Sequence, residues 1–156
     1  MSGTIPGFHN PAAWEQLPNA GLTSTARDIF DILQARQAPG GDVRIKQSDL
    51  AARLGIHQAS VSRAMSELRD TGLIEGRTRH GRVLIHPLFA GYQSYAHMIN
   101  HIEDPDTHIW PLRFASGDVR PPRRSDPRTG TEFDPDPNGG EPAPAVAARP
   151  NLRLAG

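Results

Sequence analysis

The run QSDLAARLGIHQASVSRAMSELRDTGLIE, residues 47–75, decides how this chain folds. Leu50, Ala51 and Leu54 recur at the spacing of one helix face, and Val61, Ala64, Met65 and Leu68 do so again further on. Gly55-Ile56-His57 between them reads as a tight turn, with glycine where the turn needs a positive φ. Ala51 is small where the two helices would cross, and Val61 is the buried wedge from the second. The spacing predicts one helix over about 48–54, capped by Ser48, and another over about 58–70, ended by Thr71-Gly72.

Working outward, Leu22, Ala26, Ile29, Phe30 and Leu33 follow helical spacing behind a Thr23-Ser24-Thr25 start signal, which places a helix at about 24–37. Gln37-Ala38-Pro39-Gly40-Gly41 stops it. Val43-Arg44-Ile45-Lys46 alternates as a short strand would. Leu73–Arg77 and Arg82–His86 read as two strands joined by Thr78-Arg79-His80-Gly81 and closed by Pro87. A last helix is expected over 89–103, with Tyr92, Tyr95, Ile99 and Ile102 on one stripe, and Ile109–Leu112 as an extended piece packing back. Helix, strand, helix, turn, helix and two-stranded wing is the order of a winged helix-turn-helix. The fold class is therefore mainly α with a small β-wing, a C-terminal helix and disordered termini.

Three regions follow. Residues 1–21 form an irregular arm, with Trp14 and Leu17 anchoring its end, and 22–103 form the winged helix-turn-helix domain. Residues 104–156 form a Pro-rich tail, with eight of the 15 prolines after Ala115 and too little apolar surface to offset the entropy of ordering.

Composition removes several classes of function. There is no cysteine, hence no disulfide framework, thiol nucleophile or Cys-ligated metal site. No apolar run approaches the roughly 20 residues of a membrane span, and no signal peptide is evident, so a cytoplasmic protein without membrane contact is expected. No glycine-rich phosphate loop supports nucleotide binding. His97 and His101 have a metal-compatible spacing, but Met98 follows His97 where the zinc-hydrolase pattern needs glutamate, so the expectation is no metal, no cofactor and no enzymatic activity.

Charge points elsewhere. The whole chain balances at 17 basic and 17 acidic residues. Between Val43 and His86, eight basic residues face four acidic ones, a local net of +4. A basic wing and helix on a neutral chain is the footprint of a duplex DNA binder. His57, Gln58, Ala59, Ser62 and Arg63 face outward near the start of the second helix of the pair, the end that reads base edges in a major groove. Glutamine suits adenine, arginine suits guanine, and alanine offers a methyl to thymine. Ser48 and Ser60 suit phosphates, and Arg77, Arg79, His80 and Arg82 suit phosphates or an adjacent minor groove. Arg44 and Lys46 are candidates on the short strand. Arg63 has a competing partner in Glu67, four residues on.

Residues 47–75 resemble the DNA-binding segment of Crp-type and MarR-type winged-helix regulators, most specifically in Val61-Ser62-Arg63 and Gly72-Leu73-Ile74. The same segment followed by Ile85-His86-Pro87-Leu88-Phe89-Ala90-Gly91-Tyr92 is similar, more weakly, to RepL-type plasmid replication proteins. The resemblance covers about 22–92 and implies double-stranded DNA as partner. Two functions follow as expectations: site-specific binding in transcriptional regulation, or binding of origin repeats in plasmid or phage replication. A protein-binding winged helix without DNA contact is the third class. The Tyr92–Ile102 stripe is expected to pair with its copy in a homodimer.

Overall fold

The computed structural model describes residues 6–77 and 80–117. Chain order is α1 (Pro11–Gln16), a 3-10 turn (Leu17–Ala20), α2 (Ser24–Arg36), β1 (Asp42–Arg44), α3 (Gln47–Leu54), α4 (Gln58–Thr71), β2 (Arg82–Leu84) and α5 (Tyr95–Glu103). This is the mainly α architecture with a small wing that the sequence predicts.

α2 and α3 both pack on α4. α2 starts where Thr23 Oγ1 accepts from the Ala26 N–H at 3.3 Å, and it buries Ala26, Ile29, Phe30 and Leu33. α4 answers with Val61, Ala64, Met65 and Leu68. Full burial of each large side chain contributes about 1.5–3 kcal/mol. Gly55 has φ 65° and ends α3 in the left-handed region, as the turn requires.

β1 and β2 pair antiparallel, with Val43 opposite Val83 and Arg44 opposite Arg82. The valines point inward and the arginines outward. The strand expected over Leu73–Arg77 shrinks to a single bridge between Ile74 and Ile85. Leu73 and Ile74 are both fully buried, and consecutive side chains cannot share one face of a regular strand. Two flanking bonds hold the segment to β2: Glu75 N–H to Leu84 O and His86 N–H to Leu73 O, each 2.9 Å.

The last helix begins at Tyr95, not at 89, because Ser94 caps it by accepting from the His97 N–H at 3.1 Å. Residues 89–92 are instead a buried turn. Tyr92 lies in the core, its hydroxyl donates to Pro87 O at 2.6 Å, and burial pushes its pKa up to about 12. The predicted stripe is thereby broken. Met98 is buried, Ile99 and Ile102 are half-buried against the protomer's own core, and only Tyr95 stays open at 61% exposure.

Both flanks are better built than expected. Asn10 Oδ1 accepts from the Ala12 N–H at 3.1 Å ahead of Pro11, an ordinary helix start, so the arm is helical over 11–20 rather than irregular. Trp14 sits 6.0 Å from Phe30 and 6.3 Å from Phe89 between ring centroids, and Leu17 is 2% exposed, so both anchor as predicted. Phe8 bridges Tyr92. At the other end, residues 104–117 are an ordered strap, not the start of a disordered tail. Trp110 Nε1 donates to Gly72 O at 2.7 Å, Arg113 N–H donates to Thr71 O at 2.9 Å, and Leu112 and Phe114 pack on the core. The remainder of the Pro-rich tail, 118–156, lies outside the described residues.

Candidate nucleic-acid interface

α4 is two-faced by spacing. With Val61, Ala64, Met65 and Leu68 turned in, Gln58, Ala59, Ser62 and Arg63 are exposed, and Ser60 is half-buried at the boundary. His57 is the exposed N-cap residue, and its side chain makes no capping bond. α3 begins the same way: Lys46 is its N-cap without a side-chain bond. Ser48 is therefore not the cap but an exposed residue of the first turn. Two helix N-termini with no capping side chain carry partial positive charge and outward N–H groups, which favour phosphate oxygens.

Glu67 is not Arg63's partner. Its carboxylate accepts from Thr23 N–H at 2.7 Å and Thr23 Oγ1 at 2.8 Å, tying α4 to the start of α2. Arg63 is left exposed with no ion pair among the described residues.

The wing turn closes beside α3. His80 and Gly81 are left-handed, at φ 50° and 74°, and Ile45 N–H donates to Gly81 O at 2.8 Å. Lys46 and His80 consequently line one cleft of about 210 Å³, floored by Leu50 and Met65. Arg77 is exposed at the other side of the turn, while Arg79 lies outside the described residues. Arg44 is exposed on β1. Arg82 already has a partner: its Nε lies 3.1 Å from both carboxylate oxygens of Asp42, and Nη2 lies 3.0 Å from Oδ2. That grip raises the guanidinium pKa further.

Residues 25–88 match the family model of the Crp-like helix-turn-helix domain. These residues are a winged helix-turn-helix DNA-binding domain of the Crp-like kind. No curated protein and no solved structure matches the chain. The Crp-like domain comprises α2, β1, the α3–turn–α4 pair and the wing; α1, α5 and the strap lie outside it.

Of the residues expected at the interface, Arg44, Lys46, Ser48, His57, Gln58, Ala59, Ser62, Arg63, Arg77 and His80 are exposed on the Crp-like domain. Arg82 is exposed as well but is held by Asp42. Gln47, not among the residues expected there, is the first residue of α3 and lines the Lys46–His80 cleft; beginning the helix one residue late concealed it.

The histidines form a separate group. His97 meets Tyr92 edge-to-face and His101 packs tilted against it, with centroids at 5.7 and 5.6 Å. Burial, and then His97, pushes the His101 pKa down. Among the described residues no cluster of three His, Asp or Glu could hold a metal ion, and no helix is long and apolar enough to cross a membrane.

Proposed function

We propose that this protein is a cytoplasmic, non-catalytic transcriptional regulator that binds duplex DNA at a specific site. The observation that carries this is the exposed Gln58–Arg63 face of α4, with Arg63 free of Glu67, ahead of an N-terminus that no side chain caps. A glutamine and an arginine five residues apart on one helix can each make a bidentate contact to a base edge. Lys46, Ser48 and His80 flank that face as phosphate contacts.

A footprint on the DNA flanking the protein's own gene tests this. Protection of a discrete promoter segment, lost with Arg63→Ala, supports it. Uniform weak protection of any duplex would leave only non-specific binding. Protection of a repeat array would favour origin binding in replication. The Ile85–Tyr92 run behind that alternative is spent here on packing: His86, Phe89, Ala90 and Tyr92 are all buried.

Dimerisation on an inverted repeat belongs to the same proposal. Its support has narrowed to Tyr95 at the exposed edge of α5, 5.9 Å from Phe8 between ring centroids. Light scattering of the complex decides it. Two protomers per site, reduced to one by Tyr95→Asp, support the dimer; one protomer per site for the wild type removes it.

A further inference from the structure

Beside the wing, a groove of about 730 Å³ runs between the C-terminal end of α4, the segment 74–77 and the strap at 108–113. Arg77 stands on the segment 74–77, and Arg113 and His108 on the strap; all three line the groove and are exposed. Neither arginine has an ion pair among the described residues. Asp70 and Glu75 also line the groove, yet neither is paired with these guanidiniums.

The strap is a firm ledge. Trp110 Nε1 bonds Gly72 O at 2.7 Å, His86 Nε2 bonds Trp110 O at 2.8 Å, and Arg113 N–H bonds Thr71 O at 2.9 Å. The Arg113 guanidinium is therefore carried on backbone tied to the recognition helix, although it lies outside the Crp-like domain.

We propose that this groove is a second phosphate-contact surface, where Arg77 and Arg113 hold the backbone of the duplex flanking the site that α4 reads. The proposal rests on the DNA-binding reading. Two observations favour a DNA strand over a small anion. Small-ligand sites are enclosed and mostly apolar, burying most of the ligand; this groove has exposed, charged walls. Arg69 lines both this groove and the Lys46–His80 cleft, so the groove continues the interface already described. Guanidinium groups suit phosphate because their donor fork matches its oxygens.

The experiment is a salt titration of the full chain on its footprinted duplex, with long and with trimmed flanks. Arg113→Ala is expected to lower the log–log salt slope by about 1 and to weaken specific and random duplex by the same factor. Arg113→Lys should keep the slope, and trimming the flank should erase the difference between wild type and Arg113→Ala. The melting temperature should not move, because the side chain is exposed and the bond to Thr71 is made by the backbone. An unchanged slope in Arg113→Ala, while Arg63→Ala still weakens specific binding, would overturn the groove alone. If Arg63→Ala is equally silent, the DNA reading fails with it. Saturable binding of inorganic phosphate that Arg113→Ala abolishes, with DNA binding unaltered, would make the groove a free-anion site and also overturn the proposal.

Discussion

Trp110→Phe isolates a single bond at the end of the recognition helix. The indole N–H donates to Gly72 O at 2.7 Å, and Gly72 is the left-handed residue that ends α4 at φ 82°. The last carbonyls of a helix have no partner within it, so an outside donor matters there. Phenylalanine keeps an aromatic ring beside His86, now 5.2 Å from Trp110 between centroids, and removes only the donor and part of the ring. A hydrogen bond contributes about 0.5–1.5 kcal/mol net, and an unsatisfied buried acceptor costs about 1–3 kcal/mol. Gly72 is buried and Trp110 half-buried, so a loss of about 1–2 kcal/mol is expected. For a domain near 100 residues this lowers the melting temperature by about 5–10 °C. Thermal unfolding followed by circular dichroism measures it. A shift below about 1 °C would refute the claim that the strap closes α4. Gly72→Ala attacks the same contact from the other side: a Cβ there would meet Pro111 O at 2.5 Å, at a φ that alanine rarely adopts, so its loss should be larger.

Gln58→Ala and Arg63→Ala should each cost about 1–3 kcal/mol on the specific duplex and less on random DNA, measured by anisotropy titration; Arg82→Ala, already held by Asp42, should cost less than Arg63→Ala. Glu67→Ala frees Thr23 N–H and Oγ1 at once and should destabilise the fold by about 1 kcal/mol without touching the α4 reading face, which urea melts alongside DNA titrations would separate. Burial pushes the His86 pKa down, while its bond to Trp110 O opposes this; Leu88 N–H donates to Nδ1 at 3.1 Å, so a second proton would break that bond. With the folded value below the unfolded value of about 6.5, the unfolded chain binds more protons in acid; stability should be full above that pH and fall as pH drops toward the folded value, a slope that His86→Gln should reduce in urea melts across pH 5–8.

The helix-turn-helix was legible because its information is local. Apolar residues three and four apart, a glycine at the turn and a glycine at the end of α4 are enough to place α2, α3 and α4 within one or two residues. The flanks carry no period and were legible only in the anchors Trp14 and Leu17 and in the extended piece at Ile109–Leu112; the helix over 11–20 and the docking of Phe8 and Phe114 were not. Phe8, Trp14 and Leu17 before the domain, and Trp110, Leu112 and Phe114 after it, each dock singly into a site supplied by distant chain. Tyr92 misled in the opposite way. It fits a helical stripe by spacing, but Gly91 before it and the Ser94 cap after it end any helix there, and the side chain is needed inside. At the interface, outward residues of α4 could be read from its inward ones. The partners that decide availability could not: Asp42 for Arg82 and Thr23 for Glu67 lie 40 and 44 residues away.

The recognition helix is thus left open at one end and fixed along the rest. Its N-terminus has no side-chain cap and faces outward with Gln58 and Arg63. Its middle is tied to α2 through Glu67 and Thr23. Its C-terminus is closed by Trp110 and Arg113 of the strap, which His86 in turn joins to the turn that follows β2. Base readout needs the reading side chains held within about 0.5 Å, and polar ties at fixed points add to what the buried face of the helix already restrains. The polar ties at Glu67 and Gly72 fix α4 at its middle and at its C-terminal end. Their loss should therefore lower the ratio of specific to random binding more than it lowers random binding itself, even though none of these groups lies on the Gln58–Arg63 face of α4.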